Sequence, residues 1–186
     1  MDDTNIDDRE APEIARAVDL IHLGARLHLL ESETPLSRER LFALYEEVTG
    51  IPPAEAGPLA PAEWFLHWQP NVHASLFIGI WRYLQAFAGL RGMDAIARAY
   101  RLYMAHMQAS GIDPILTVTR AWTVVRYLGV LLSTVRCGEC GHEFVVDAQS
   151  LESARRCGLC RRTPSSIGPE EHTVAVRQRP INDDDA

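Results

Sequence analysis

The sequence contains no lysine: all 18 of its basic residues are arginine, set against 25 acids in 186 residues. Every cation it offers is therefore a planar guanidinium suited to forked bonds with phosphate or carboxylate, whether genome composition or function accounts for the bias. Nor is there an apolar run of the roughly 20 residues that a bilayer span requires; the densest stretch, Ala121 to Val135, is interrupted by Arg126. The opening Met-Asp-Asp-Thr has neither the basic nor the apolar region of a cleaved signal. A cytoplasmic address with no membrane partner is expected, and thiols there stay reduced, so paired cysteines mean metal or redox chemistry before disulfides.

Catalytic signatures are also missing. There is no G-x-S-x-G, no Walker loop, no G-x-G-x-x-G and no deaminase pattern. His142-Glu143 begins like a zinc-protease motif, but Val146 stands where the second histidine is needed, and the seven histidines show no ligand spacing. No enzyme and no small-molecule substrate is expected.

What is present describes a globular chain, 47% hydrophobic and 23% charged. Its net charge of −7 is terminal: residues 1–13 hold six acids and one arginine, and Asp183, Asp184 and Asp185 close the chain. The body between them is free to present a basic face. Four segments are expected: an acidic flexible leader over 1–13, a helical domain over 14–135, a metal module over 136–164 and a disordered tail over 165–186.

Periodicity predicts helix nearly everywhere before residue 136. Ile14, Ala17, Val18, Ile21, Ala25 and Leu29 form one apolar stripe, and Leu20, Leu23, Leu27 and Leu30 form a second on another side of the same helix. The second stripe needs its own cover, from a partner subunit or from the chain wrapping round it. Ser32-Glu33-Thr34-Pro35 stops this helix, Ser37 caps the next, and Gly50 ends it. Residues 51–61, with four prolines, read as an ordered loop. Three further helices are predicted at about 71–89, 93–108 and 113–135, with Pro114 in the first turn of the last. The fold class is all-α, about five helices followed by a small four-cysteine module of knuckles and short strands, one of them at Phe144-Val145-Val146.

Cys137-Gly138-Glu139-Cys140 and Cys157-Gly158-Leu159-Cys160 lie sixteen residues apart. This is the spacing of a structural zinc site, with Gly138, Gly141 and Gly158 free to take the positive φ that knuckle turns use. One zinc ion per chain is expected on Cys137, Cys140, Cys157 and Cys160, with iron–sulfur or redox-dithiol chemistry as the rivals. Arg136, Arg155, Arg156, Arg161 and Arg162 flank the ligands. Two readings of them are open: compensation of the tetrathiolate charge, and a phosphate-binding patch.

Leu23-Gly24-Ala25-Arg26-Leu27 leading to Leu30-Glu31-Ser32-Glu33-Thr34, then Leu36-Ser37-Arg38 and Leu44-Tyr45, make one set of segments, and Asn71-Val72-His73-Ala74-Ser75, Ala99-Tyr100-Arg101-Leu102-Tyr103 and Thr119-Arg120-Ala121-Trp122-Thr123 make a second. With the four cysteines they together resemble the FlhC family of flagellar transcriptional activators. The first set looks like its N-terminal helix pair, the second resembles its central helices, and the cysteines match its zinc ligands. The likeness covers about residues 14–162. It implies a cytoplasmic DNA-binding activator that assembles with FlhD as a heterohexamer, contacts flagellar promoters and helps RNA polymerase begin transcription.

Two sets of arginines are candidates for contact with promoter DNA. Arg38 and Arg40 open the second helix of a helix-turn-helix-like pair, where recognition helices meet DNA. Arg155, Arg156, Arg161 and Arg162 in the metal module would grip phosphate. Leu20, Leu23, Leu27 and Leu30 are the candidate surface for FlhD or a second copy. The rival function is a zinc-stabilised interaction module that does not bind DNA.

Overall fold

The computed structural model describes residues 4–53, 57–151 and 156–161, with the backbone alone for 4–9. Arg155, Arg162 and the expected tail over 165–186 lie outside the described residues. The helices are α1 (Thr4–His22), α2 (Leu27–Glu33), α3 (Arg38–Thr49), α4 (Trp68–Phe87), α5 (Gly92–Ser110), α6 (Val118–Tyr127) and the single turn α7 (Gly158–Arg161). A 3₁₀ turn spans Ala62–Leu66, and β1 (Leu132–Arg136) pairs antiparallel with β2 (Glu143–Asp147). The chain is mostly helical with a small hairpin, as the sequence predicts.

At the N-terminus the helix starts earlier than expected: residues 4–13, read as part of a flexible leader, are the first turns of α1. A run of acids suits a solvated coil, but it equally suits the positive end of a helix dipole, and the backbone takes the second course. The single long helix predicted from Ile14 is in fact two. Gly24 adopts φ 80°, the Ala25 amide donates back to the Leu20 carbonyl at 3.0 Å, and Gly24 N–H reaches Ile21 O at 2.8 Å. This is a glycine-terminated C-cap with a six-to-one bond, and it redirects the chain before α2.

The redirection corrects the reading of the second leucine stripe. Leu20, Leu27 and Leu30 are all buried in the chain's own core, and Leu23 is half-buried against it. With α2 turned relative to α1, and α3 packed against both, the chain covers its own stripe. Of the four, Leu23 alone reaches a surface groove, beside Met104, Met107 and Ile112.

The predicted stop and start signals around α3 hold. The Ser37 hydroxyl accepts from the Arg40 amide at 3.2 Å, and Gly50 ends the helix at φ 74°. Ser37→Ala is expected to destabilise the protein by about 1 kcal/mol, read from urea denaturation, because it strips one orphan amide of its acceptor. Loss of less than a few tenths would mean that water substitutes fully.

The last predicted helix is shorter at both ends. Thr117 caps α6 through its hydroxyl, accepting from Arg120 N–H at 3.2 Å, so Pro114 lies in the preceding loop. Two tyrosines of α5 hold that loop extended: Tyr100 Oη donates to Leu116 O at 3.2 Å, and Leu116 N–H donates to Tyr103 Oη at 3.4 Å. At the other end Gly129 takes φ 81°, and residues 132–136, all but the last inside the span predicted as helix, form β1.

Helix α4 is central. It packs against α5, α6, the 3₁₀ turn, β2 and α7. Phe65, Phe77, Tyr103, Trp122 and the leucines of α1 to α3 fill one core, which also takes Leu132 from β1 and Val145 from β2. Phe144 and Val146, on the opposite face of β2, pack instead with Cys137 and Cys157. The two faces of β2 thus serve two clusters, which is why three consecutive residues, Phe144, Val145 and Val146, are all buried.

Candidate metal centre

The first cysteine pair sits on the turn of the hairpin. Cys137 follows β1 directly, its N–H donates to His142 O at 2.9 Å, and the Gly141 amide closes back on Cys137 O at 2.9 Å. Gly141 sits at φ 73°, the left-handed region that glycine enters without penalty. Of the three glycines expected to supply such a turn, this is the one that does. Gly158 is needed for another reason: a Cβ there would lie 2.9 Å from Cδ1 of Trp68. Cys157 and Cys160 bracket the start and middle of α7, whose one turn brings both sulfurs to the same side.

The four sulfurs of Cys137, Cys140, Cys157 and Cys160 lie within 4.8 Å of one another, with Cys140 Sγ and Cys157 Sγ 3.8 Å apart. A tetrahedral ion with metal–sulfur bonds of about 2.3 Å needs sulfurs about 3.8 Å apart, so the donor set fits a metal ion. The Cys157 N–H points at Cys137 Sγ at 3.4 Å. Backbone amides of Cys140, Cys157 and Glu139 draw the Cys137 thiol down to about 6. Cys160 moves the other way, pushed up by the neighbouring thiols of Cys140 and Cys157 and by burial. For Cys140 the His142 amide pulls downward, but burial and the adjacent sulfurs outweigh it and its thiol is also raised. One thiolate is stabilised and its neighbours resist ionising beside it, so the cluster favours a cation that would replace their protons. Four sulfur donors leave no open coordination position for water or substrate.

Helix α4 holds the hairpin from the side. Register pairs Thr134 with Val145, and the bonds of the ladder fall on the neighbouring positions, so the N–H and C=O of Val145 face away from β1. Both are taken by α4: Asn71 Nδ2 donates to Val145 O at 2.8 Å and to Phe65 O at 3.0 Å, while Val145 N–H donates to Ser75 Oγ at 3.0 Å. Arg82 bonds Thr134 Oγ1 at 2.7 Å and pairs with Glu143, bridging the two strands. Trp68 Nε1 donates to Gly158 O at 3.1 Å, tying α4 to the second cysteine pair. Reasoning from sequence misses the part these four residues play; their signal is polar side chains spaced along one face of an otherwise apolar helix.

The two sets of arginines predicted to contact DNA are placed as follows. Arg38 and Arg40 are exposed at the start of α3, but Arg38 pairs with Glu31 and lies 5.4 Å over the Phe42 ring, and Arg40 is 4.0 Å from Glu10. In the metal segment Arg156 pairs with Glu139 at 2.9 Å, and Arg161 is exposed on α7. Arg155 and Arg162 lie outside the described residues. Three arginines of the central helices are engaged by other residues of this chain: Arg101 pairs with Asp19, Arg120 lies 4.2 Å over Trp64, and Arg126, itself exposed, lies 4.8 Å over Trp122. Among the described residues no helix is long and apolar enough to cross a membrane.

Comparison with known proteins places this geometry in a family. The family model described as "Flagellar transcriptional activator (FlhC)" matches residues 4–173. Curated relatives named flagellar transcriptional regulator FlhC include one from Thauera aminoaromatica, 43% identical over 91% of this chain and 87% of its own length. One from Paraburkholderia atlantica is 44% identical over 90% of this chain and 78% of its own. One from Proteus mirabilis is 40% identical over 94% of this chain and 90% of its own. With a match running from the first helix past the last cysteine, the chain belongs to the FlhC family of flagellar transcriptional regulators.

Proposed function

We propose that this chain is the DNA-binding subunit of a cytoplasmic activator, that it assembles with FlhD, and that it turns on flagellar genes by engaging promoter DNA and RNA polymerase. It carries one structural zinc on Cys137, Cys140, Cys157 and Cys160 and performs no catalysis. The observation that carries this reading is the family match over residues 4–173. Zinc is favoured over iron or a redox dithiol because four thiolates from two C-x-x-C pairs form the closed tetrahedral set of structural zinc sites. The lysine-free composition supplies guanidinium groups suited to phosphate.

The module's Arg155, Arg156, Arg161 and Arg162 are proposed as phosphate contacts, which set affinity and register. Arg38 and Arg40 are proposed as contacts closer to the bases, for which their pairs with Glu31 and Glu10 must open. The partner surface proposed for FlhD narrows from Leu20, Leu23, Leu27 and Leu30 to Leu23 and the groove it lines.

A promoter-fragment mobility shift tests the proposal, with the chain alone, with FlhD, and with the pair after zinc chelation, each at two salt concentrations. The pair is expected to shift the fragment and chelation to abolish the shift. A pair that forms without ever shifting promoter DNA would make the protein a zinc-stabilised interaction module. Replacing Arg155 and Arg156 with alanine together is expected to weaken promoter binding and to reduce the slope of log affinity against log salt by about 2, since each phosphate left without its arginine removes about 0.9. An unchanged slope with metal still bound would move the DNA-binding surface to the N-terminal helices.

A further inference from the structure

Trp68, Asn71, Ser75 and Arg82 stand at i, i+3, i+7 and i+14 of α4, which places them along one helix face. Each meets the metal-bearing segment: Arg82 at both strands, Ser75 and Asn71 at the outward edge of β2, and Trp68 at Gly158 between the second pair of cysteines. We infer that this face of α4 is the outer shell of the metal centre, with Asn71 and Ser75 positioning the hairpin that carries Cys137 and Cys140, and Trp68 positioning Cys157 and Cys160. The inference rests on the metal reading proposed above and adds a set of positioning residues to it.

The physical need is plain from the connectivity. The second pair sits on a helix of one turn, reached through a sixteen-residue spacer, and such a segment cannot fix its own orientation. Gathering four ligands from two short segments separated in the chain costs loop-closure entropy that weakens metal binding. Two hydrogen bonds to Val145, a bridge across Thr134 and Glu143, and the Trp68 ring against Gly158 remove most of that freedom in advance. Asn71 matters most because its amide also holds Phe65 O, so the hairpin edge and the 3₁₀ turn share one donor group. Its side chain is buried, where an unmatched acceptor is costly.

The test uses the full chain, loaded with zinc and in parallel with cobalt(II), whose thiolate absorption reports the ligand set. Asn71→Asp turns the paired donor into an acceptor facing two carbonyls; Trp68→Phe keeps a ring and deletes its N–H; Gly158→Ala pushes the Trp68 ring away. Loss of metal to a chromogenic chelator is expected to show affinity about 10-fold weaker for Asn71→Asp, the low end of what removing a ligand's own hydrogen-bond partner costs, because Asn71 acts through the hairpin and not on a sulfur. Trp68→Phe and Gly158→Ala should fall in the same direction, while Ser75→Thr, which keeps the hydroxyl, stays at the parental value. Leu41→Ala, in the core away from the hairpin, is the control for simple destabilisation.

Metal loss from Asn71→Asp, Trp68→Phe and Gly158→Ala at the parental rate would overturn the inference. So would a Leu41→Ala protein that lost metal as readily at matched thermal stability. If Asn71→Asp fails to fold, Trp68→Phe and Gly158→Ala decide the outcome, since Trp68 is partly exposed. A parental protein that takes up neither zinc nor cobalt would sink the metal reading itself and this inference with it.

Discussion

Removing the metal is expected to melt the hairpin and lower the thermal midpoint of the whole chain by about 10 °C or more, since each kcal/mol is worth about 2–4 °C in a protein of this size. Apparent zinc-binding free energies in small modules run to about 10–16 kcal/mol, comparable to the entire stability of an ordinary domain. Only part of that reaches the folded body here, because the body already supports the hairpin through α4. The loss nevertheless spreads, since Leu132 and Val145 belong to the main core and would be drawn out of it as β1 and β2 loosen. Calorimetry with and without chelator, beside the Cys157→Ser variant, measures it. A midpoint unchanged after verified metal removal would mean that the body alone holds the hairpin.

Metal uptake should also depend steeply on pH, in a direction set by the thiols. Cys140 and Cys160 are both raised above the ordinary thiol value, so in the metal-free chain both are protonated at neutral pH. A bound ion requires them as thiolates and displaces their protons. Each displaced proton makes affinity about tenfold weaker per unit fall in pH, so these two alone give at least about 100-fold per unit around neutrality. Cys137, drawn down to about 6, is already ionised above that point and adds its own proton only below it, so the fall steepens under about pH 6. Competition titrations across this range would read the slope, and a pH-independent affinity would contradict the protonation pattern.

Much of this is legible in the sequence, for reasons that are local. Paired cysteines two residues apart are tied covalently to converge, so the four ligands can be named without knowing the fold. Ser37 and Gly50 act within one turn of their own helix, and both stand where expected. What escapes depends on long-range contacts. An apolar run such as 121–135 looks alike as buried helix or buried strand, and only the pairing of β1 with β2 decides that its end is strand. Gly24 sits inside a leucine-rich run whose periodicity continues across it, so the turn into α2 is hidden.

The segments that carry the family likeness show the same limit. Asn71 and Ser75 clasp β2, Tyr100 and Tyr103 hold the Leu116 backbone, and the Thr119 hydroxyl accepts from the Arg26 amide at 3.2 Å. Tyr103 Oη also shares a hydrogen bond with His73 Nδ1 at 2.7 Å. These side chains are polar ties between elements distant in sequence, and their value lies in giving buried polar groups, the backbone of Val145 and Leu116 among them, a partner. Spacing along the chain announces a residue's own helix but not the strand or loop that it will serve.

Leu30→Ala is expected to destabilise the isolated chain by about 2–5 kcal/mol, the cost of removing buried methyl groups and leaving a cavity among side chains that cannot close on it. Leu30 is fully buried, along with Leu29 beside it, in the cluster shared by α1, α2 and α3. The prediction separates two uses of the same leucines. A leucine reserved for a partner is exposed in the isolated chain, and its removal would leave that chain's stability within about 0.5 kcal/mol while weakening assembly. A leucine that fills the chain's own core costs stability with no partner present. Phe87, 76% exposed at the end of α4, supplies the comparison: Phe87→Ala should move the urea midpoint little. Should Leu30→Ala behave like Phe87→Ala in the isolated chain and differ from it only with FlhD added, the stripe would return to the partner, and the turn at Gly24 would have to open for it.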